Sequence, residues 1–358
     1  VCQVAEVEVD TLTGEVQAIP AREVNGQLCF RASLGPAGSR LYVIDSQGQP
    51  LLAESAASPQ GARIARHVTA HQHKHTSFIG PTCAFTRTDP NVLTLDMCQF
   101  RLNDGEWSQT LDVWQAQQRV RQALGMRPNY YNGLPQRYRW ALQSHPQDGA
   151  PVELRFHFDV RTAPASPVYL LVEGAAQFAI RLNDQPVSNQ AVGWYLDRAF
   201  HKVALPALQA GQNELVLTCA YTNPIELEDC FLLGDFGVSP DRAIIAEPAT
   251  LHFGDWTTQG YLHYAGGMIY HGKFEHQPGE RVRLYLGEHK AVHVAVHVNG
   301  QLAGHIPWQA ANGLDITRPG NGVSLGPGLN NVDIEVVGSP RNMLGPLHLA
   351  AGREPWTD

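Results

Sequence analysis

Val168-Tyr-Leu-Leu-Val172 leads through Ile180-Arg-Leu-Asn183-Asp184 to Gly211-Gln-Asn213-Glu-Leu-Val-Leu217. Val282-Arg-Leu-Tyr-Leu286 leads through Val296-His-Val-Asn299-Gly300 to Gly328-Leu-Asn330-Asn-Val-Asp-Ile334. Val168 to Val282, Asn183 to Asn299 and Asn213 to Asn330 lie 114, 116 and 117 residues apart, so three landmarks recur in order at a near-constant offset. Internal repetition of this kind decides a fold before any single element does. Each copy has one plan: an apolar strand, a second strand ending in Asn-Asp or Asn-Gly, a loop with a Trp (Trp194, Trp308), then Gly-x-Asn before a last strand. Asn-Asp and Asn-Gly tolerate positive φ at both turn positions and so join antiparallel neighbours. The expected class is all-β, with tandem antiparallel β-sandwich domains and one short helix.

Outward from the repeat, period two persists. Ala5, Val7 and Val9 alternate with Glu6, Glu8 and Asp10; Leu28-Cys29-Phe30, Leu41-Tyr42-Val43-Ile44, Asn91–Asp96 and Cys98-Phe100-Leu102 are further strands. Residues 46–65 read as a linker. Helical spacing is confined to 111–124, where Leu111, Trp114, Val120, Ala123 and Leu124 share a face and Gly125 closes the helix. The expected organisation is the end of a sandwich plus linker over 1–60, a first sandwich over 61–242 with the inserted helix, and a second over 243–358.

Composition agrees. Of 358 residues, 33 are Gly and 24 Pro, spread without a strict period, which excludes collagen and suits many short strands joined by turns. With 43% hydrophobic residues a sizeable core can form. A formal charge of −8 offers no basic stripe for nucleic acid. No run of about 18 apolar residues is present to span a membrane. Cys2, Cys29, Cys83, Cys98, Cys219 and Cys230 form no CxxC pair, and single buried thiols are the stronger reading. The chain opens on Val1 in mid-pattern, so a piece of a longer protein is expected, and the compartment, bacterial cytoplasmic or secreted, stays open.

Over 251–349 the motifs become specific. Gly254-Asp255-Trp256 followed by Gly260-Tyr261-Leu262-His263-Tyr264-Ala265-Gly266-Gly267-Met268-Ile269-Tyr270, and the close Val337-Gly338-Ser339-Pro340-Arg341-Asn342-Met343-Leu344-Gly345-Pro346-Leu347-His348, resemble the galactose-binding-like jelly roll of large modular bacterial glycoside hydrolases, of family 2 type and similar to α-L-rhamnosidases. Asp10–Glu15, Pro36–Ile44, Asn91–Asp96 and Trp107 are similar to other parts of such proteins. The resemblance implies a non-catalytic C-terminal accessory or carbohydrate-binding region acting on plant or microbial polysaccharide. Its partners would be carbohydrate and an upstream catalytic domain of the same polypeptide. In such enzymes the carboxylates sit on a (β/α)₈ barrel, and no alternating βα pattern occurs here, so no catalytic residue is carried over. A stand-alone lectin-like module and a purely structural interaction module are the alternatives.

Glycoside hydrolysis needs two carboxylates at about 5–9.5 Å. Asp96, Glu106, Glu228 and Asp255 show no pairing in their spacing, and solvated or turn-capping roles are the better reading. Sugar recognition needs flat apolar faces and polar forks. Trp256, Tyr261, His263, Tyr264, Arg341, Asn342 and His348 are the carbohydrate-contact candidates, near Tyr270. Packing against a neighbouring domain is the leading reading for this cluster, with sugar contact and plain core behind it. Closure of the sandwich is the better reading for Trp194 and Trp308. His71, His73 and His75 alternate as a strand face able to hold a transition metal, but nothing completes the set. His293, His297 and His305 read as outward positions. No cofactor or metal is expected; a structural Ca²⁺ follows by analogy with the jelly rolls alone.

Overall fold

The computed structural model describes residues 5–9, 16–25, 27–32, 40–45, 80–128, 140, 142–287, 289–306, 313–317 and 322–345. The chain divides into two compact units, Val1–Ser77 and Phe78–Asp358. In the first, Ala5–Val9 is the middle of a three-stranded antiparallel sheet with Val16–Ala18 and Leu41–Asp45. Ala21–Val24 and Gln27–Phe30 form a hairpin that turns at Asn25 with φ 54°. Arg40 pairs with Glu8, and the Phe30 and Tyr42 rings lie 4.7 Å apart.

The larger unit is all-β with antiparallel sheets, as the repeat requires. Its strands of three or more residues are β1 (Thr82–Arg87), β2 (Asn91–Leu95), β3 (Met97–Leu102), β4 (Ala150–Val160), β5 (Tyr169–Glu173), β6 (Ala179–Leu182), β7 (Gln185–Val187), β8 (Ala191–Tyr195), β9 (Asp197–Ala204), β10 (Gly211–Tyr221), β11 (Cys230–Gly234), β12 (Gly267–His276), β13 (His293–Val298), β14 (Gln301–His305) and β15 (Gly328–Val337).

One sheet of the first sandwich runs β7-β6-β10-β4, with β3 also on β4. The other runs β8-β9-β5-β11-β2. Between them lie Phe156, Leu154, Leu170, Leu215, Leu217, Leu232 and Phe236, all essentially without exposure. Period-two strands deliver this: in β4, Val152, Leu154, Phe156, Phe158 and Val160 point in and the residues between them point out. The second sandwich has the order β1-β12-β15-β13-β14. The short pair Arg283–Leu284 and Leu314–Asp315 packs on its inner side through Leu284 and Leu314. β1 thus lies ahead of the first sandwich in sequence but belongs to the sheet of the second.

The two copies are locked by the same device. Asn183 (φ 49°) and Asp184 (φ 63°) turn β6 into β7, while Asn299 (φ 51°) and Gly300 (φ 79°) turn β13 into β14. Asn183 Nδ2 donates to Asn213 Oδ1 at 2.9 Å, and its own Oδ1 accepts from Glu214 N at 2.8 Å. Asn299 does the same with Asn330 Oδ1 at 2.9 Å and Asn331 N at 3.0 Å. Asn213 and Asn330 are buried, and each donates to two carbonyls of the turn before it: Gln209 and Gly211 in one copy, Gly326 and Gly328 in the other. Gly211 (φ 97°) and Gly328 (φ 86°) take the left-handed backbone that this turn needs.

The helix α1 spans Val113–Ala123, two residues later than the spacing predicts, because Leu111–Asp112 first pairs with Met97–Cys98. Gly125 (φ 67°) ends it. Its buried Arg121 is held by neutral oxygens: Asn223 Oδ1 at 2.6 Å, with Asn223 O and Tyr221 Oη each at 3.1 Å. A second helix, α2 (Arg341–Leu344), forms inside the closing motif and adds to the one expected. Cys83, Cys98, Cys219 and Cys230 are buried and free, and burial pushes the Cys98 and Cys219 thiols up to about 12. Cys29 is exposed, against the expectation, and Cys2 lies outside the described residues.

Candidate functional site

The aromatic cluster of the 251–270 motif is a seam between the two sandwiches. Tyr261, His263 and Tyr264 are buried, so no ring face is left for a ligand, which goes against the sugar-contact alternative for these three candidates. Their polar atoms are spent internally. Tyr261 Oη donates to Glu247 at 2.8 Å, and Tyr264 Oη donates to Gly267 O at 2.7 Å while accepting from Asp89 N at 3.2 Å. His263 Nδ1 accepts from Thr94 N on β2 at 3.1 Å. Asn91, also on β2, donates to Phe236 O and Gly260 O. Arg87 donates to Asp89 O at 2.6 Å and to Asp235 at 2.9 Å and also pairs with Glu247; the Arg87 hydrogen bond holds the Asp235 carboxyl below its ordinary value. Burial likewise raises the Tyr195, Tyr261 and Tyr264 phenols and takes Tyr270 up to about 12.

Two of the remaining candidates, Trp256 and Asn342, border the seam at Tyr264. Trp256 is half-buried, edge-on to Tyr264 with ring centres 6.1 Å apart. Arg341 is exposed, and Asn342 donates to Tyr264 O at 3.4 Å. His348, Trp308, His71, His73 and His75 lie outside the described residues. Trp194 is 56% exposed on β8, so it does not close the sandwich as expected. Asp255 caps a turn, accepting from Thr257 N at 2.9 Å, and Glu106 is exposed. Asp96 departs from its solvated reading: it is buried against Arg242 at 2.6 Å. Among the described residues no three His, Cys, Asp or Glu side chains converge to hold a metal ion. His293 and His305 rings lie 4.7 Å apart, and desolvation, then His293 and His297, push the His305 imidazole down from its ordinary 6.5.

The outer faces of the two sandwiches differ more. Register sets them in correspondence. Phe158 stands opposite Asn213 and Phe274 opposite Asn330, so Arg155 corresponds to His271, Val216 to Asp333 and His157 to Lys273. On the neighbouring strand Gln99 corresponds to Ala84 and Arg101 to Thr86. In the first copy this face is filled. Trp107 lies under Arg155 at 4.1 Å and Arg101 at 4.8 Å, and Arg155 donates to Gln99 at 2.7 Å. Glu153 loses solvation there, but Arg101, Thr218 and Arg181 still hold its carboxyl below the ordinary value.

In the second copy Ala84, Gly272 and Gly300 leave the face open. A groove of about 610 Å³ runs between β1, β12 and β15, bordered by Thr82, His271, Lys273, Asn331 and Asp333. His271 Nε2 is 2.7 Å from Thr86 Oγ1, and His271 Nδ1 is 2.8 Å from Asp333 Oδ1. Sequence reading missed these residues. Their signal was the outward alternation of Ile269, His271, Lys273 and Glu275, which becomes a site when β1 and β15 arrive beside it.

No protein-family model and no curated protein matches the chain. Among solved structures the chain is similar to a GH2 beta-galacturonidase from Eisenbergiella tayi bound to galacturonate, at 10% identity and a TM-score of 0.22, covering 71% of this chain and 38% of that one. It is also similar to an anti-sigma factor domain-containing protein, at 10% identity and 0.17, covering 53% and 76%, and to one from Clostridium clariflavum, at 9% and 0.15, covering 70% and 90%. This chain therefore spans about two-fifths of the first of these. Likeness of this size leaves function to be argued from the chain's own residues.

Proposed function

We propose that the chain is a non-catalytic accessory region of a modular glycoside hydrolase and that it contacts carbohydrate through the groove on its second sandwich. The observation that carries this reading is the open polar groove at the position that Trp107, Arg101 and Arg155 fill in the first copy. Lys273 and Asn331 bring donors, and Asp333 acceptors, to a surface whose small residues admit a flat ring. The motifs between 251 and 349 support the glycosidase assignment by resemblance, and their buried residues serve the seam. The two galactose-binding-like jelly rolls of this reading are 61–242 and 243–358, with β1 handed across to the second.

The whole chain is screened on plant and microbial glycans and titrated by calorimetry. A saturable ligand is expected, with affinity reduced about tenfold or more, a loss of about 1.4 kcal/mol, in Lys273→Ala. Absence of binding across the panel, or a ligand indifferent to Lys273→Ala and to the groove-filling Ala84→Gln, would overturn the reading. The buried seam of Tyr261, His263 and Tyr264 favours the structural interaction module as the second reading.

A further inference from the structure

Thr86, His271 and Asp333 come from three adjacent strands, β1, β12 and β15, and their side chains meet in a line on the outer face of the sheet. A carboxylate accepts and never donates, so the 2.8 Å contact of Asp333 Oδ1 puts the imidazole hydrogen on Nδ1. In the neutral ring Nε2 is then an acceptor, and the 2.7 Å contact there is the Thr86 hydroxyl donating to it. Hydroxyl to Nε2, Nδ1–H to carboxylate: this is the order and tautomer in which a histidine strips a proton from a hydroxyl nucleophile. The carboxylate keeps its charge and steadies the imidazolium.

Nothing in the fold demands this trio. At the same three positions the first copy carries Arg101, Arg155 and Val216, and its sheet is equally regular. The trio is also reachable. Thr86 is exposed, and the His271 and Asp333 side chains are 38% and 36% exposed. His271 and Asp333 of the trio also line the groove, together with Ala84, Lys273, Asn331 and Thr82, while Thr86 stands outside it.

We propose that Thr86, His271 and Asp333 form an acyl-transfer centre that hydrolyses small carboxylic esters of polar alcohols. Thr86 Oγ1 bonds to the ester carbonyl carbon as its proton passes to His271 Nε2. The carbon–oxygen bond to the alcohol then breaks, and the alkoxide leaves with the proton from Nε2. Water attacks the resulting Thr86 ester, giving one proton to Nε2. The acid departs, and Thr86 Oγ1 recovers the proton. The groove holds the alcohol portion, so a polar, hydroxyl-bearing alcohol fits the Lys273 and Asn331 donors. The accessory region proposed above is non-catalytic toward glycosides; the ester centre is a separate activity that does not depend on that role, because simple aryl esters report on it without any carbohydrate.

The test is turnover of p-nitrophenyl acetate and butyrate by the whole chain. Saturable hydrolysis well above that of free imidazole at equal concentration is expected. Thr86→Val, which keeps the β-branched shape on its strand, is expected to lose about 100-fold or more, as is His271→Gln. Thr86→Ser, which keeps the hydroxyl, is expected to retain activity, so a folding defect in the valine variant does not decide the matter. Acid-quenched wild type is expected to carry an acyl group on Thr86 by mass spectrometry. Hydrolysis no faster than free imidazole overturns the proposal. So does activity that survives Thr86→Val while falling in His271→Gln, because the ring then acts on the ester directly.

Discussion

The two sandwiches are built on one plan and finished differently. At the turn before the last long strand they agree bond for bond: Asn213 and Asn330 each tie a positive-φ glycine turn to the asparagine of the neighbouring hairpin, over the same four kinds of bond. Outside, they part. The first copy stacks Arg101 and Arg155 on Trp107 and neutralises Glu153, while the second leaves a groove walled by His271 and Lys273. An inner position is bound by close packing and by the cost of an unpaired buried group. An outer position is bound by neither, so chemistry can change there without disturbing the fold.

The sharpest way to break this comparison is to remove the lock. Asn213→Ala and Asn330→Ala each remove the hydrogen bonds to two turn carbonyls and to the facing asparagine amide, and each is expected to cost about 3 kcal/mol at roughly 1 kcal/mol per bond, read as the shift in the urea midpoint. Similar losses sustain the equivalence of the copies; a loss in one copy below half of that in the other breaks it. Next, Trp107→Ala is expected to cost about 2 kcal/mol through lost packing and cation–π contact. It should also open a groove in the first copy that a crystal structure would display. Gly211→Ala and Gly328→Ala probe the turns, where there is room for a Cβ but φ is positive; about 1 kcal/mol is expected in each, again by urea titration.

Acid sharpens the contrast with the smallest effect. His305 has its folded value lowered below 6.5, so the unfolded chain binds a proton that the fold resists. Its contribution is complete above 6.5 and is lost as pH falls through that value toward the folded one. Glu153 is also lowered, from 4.5, and its contribution holds above 4.5 and fades below it. The second sandwich should therefore loosen before the first on acidification, as amide exchange resolved by strand would record. In His305→Gln the protection factors of β13 and β14, taken relative to intrinsic exchange, should lose the fall that sets in below pH 6.5; an unchanged fall removes the imidazole from the account.

Much of this fold was legible because its signals are local. Asn183-Asp184 and Asn299-Gly300 announce hairpins through their own φ preference, and Gly-x-Asn announces the turn that follows. The helix was legible from the spacing of Leu111, Trp114, Val120, Ala123 and Leu124, although Trp114 and Ala123 are exposed and Val113 and Ala116 face the core instead; its start was not legible, since Leu111 and Asp112 are claimed by β3. The aromatic cluster was visible as a cluster. Its burial was not, because whether Tyr261 faces water depends on Asp89, Thr94 and Glu247, which are distant in sequence. Asp96 misled for the same reason: its partner Arg242 lies 146 residues away.

By itself, then, the sequence determined the class, the repeat and the hairpins, because periodicity and turn chemistry act over a few residues. Tertiary structure decided that β1 joins the second sheet, that the motif tyrosines seal a seam, and that Thr86, His271 and Asp333 meet. Those outcomes hang on strand register across gaps of 185 and 62 residues, and register is set by which faces can be buried together.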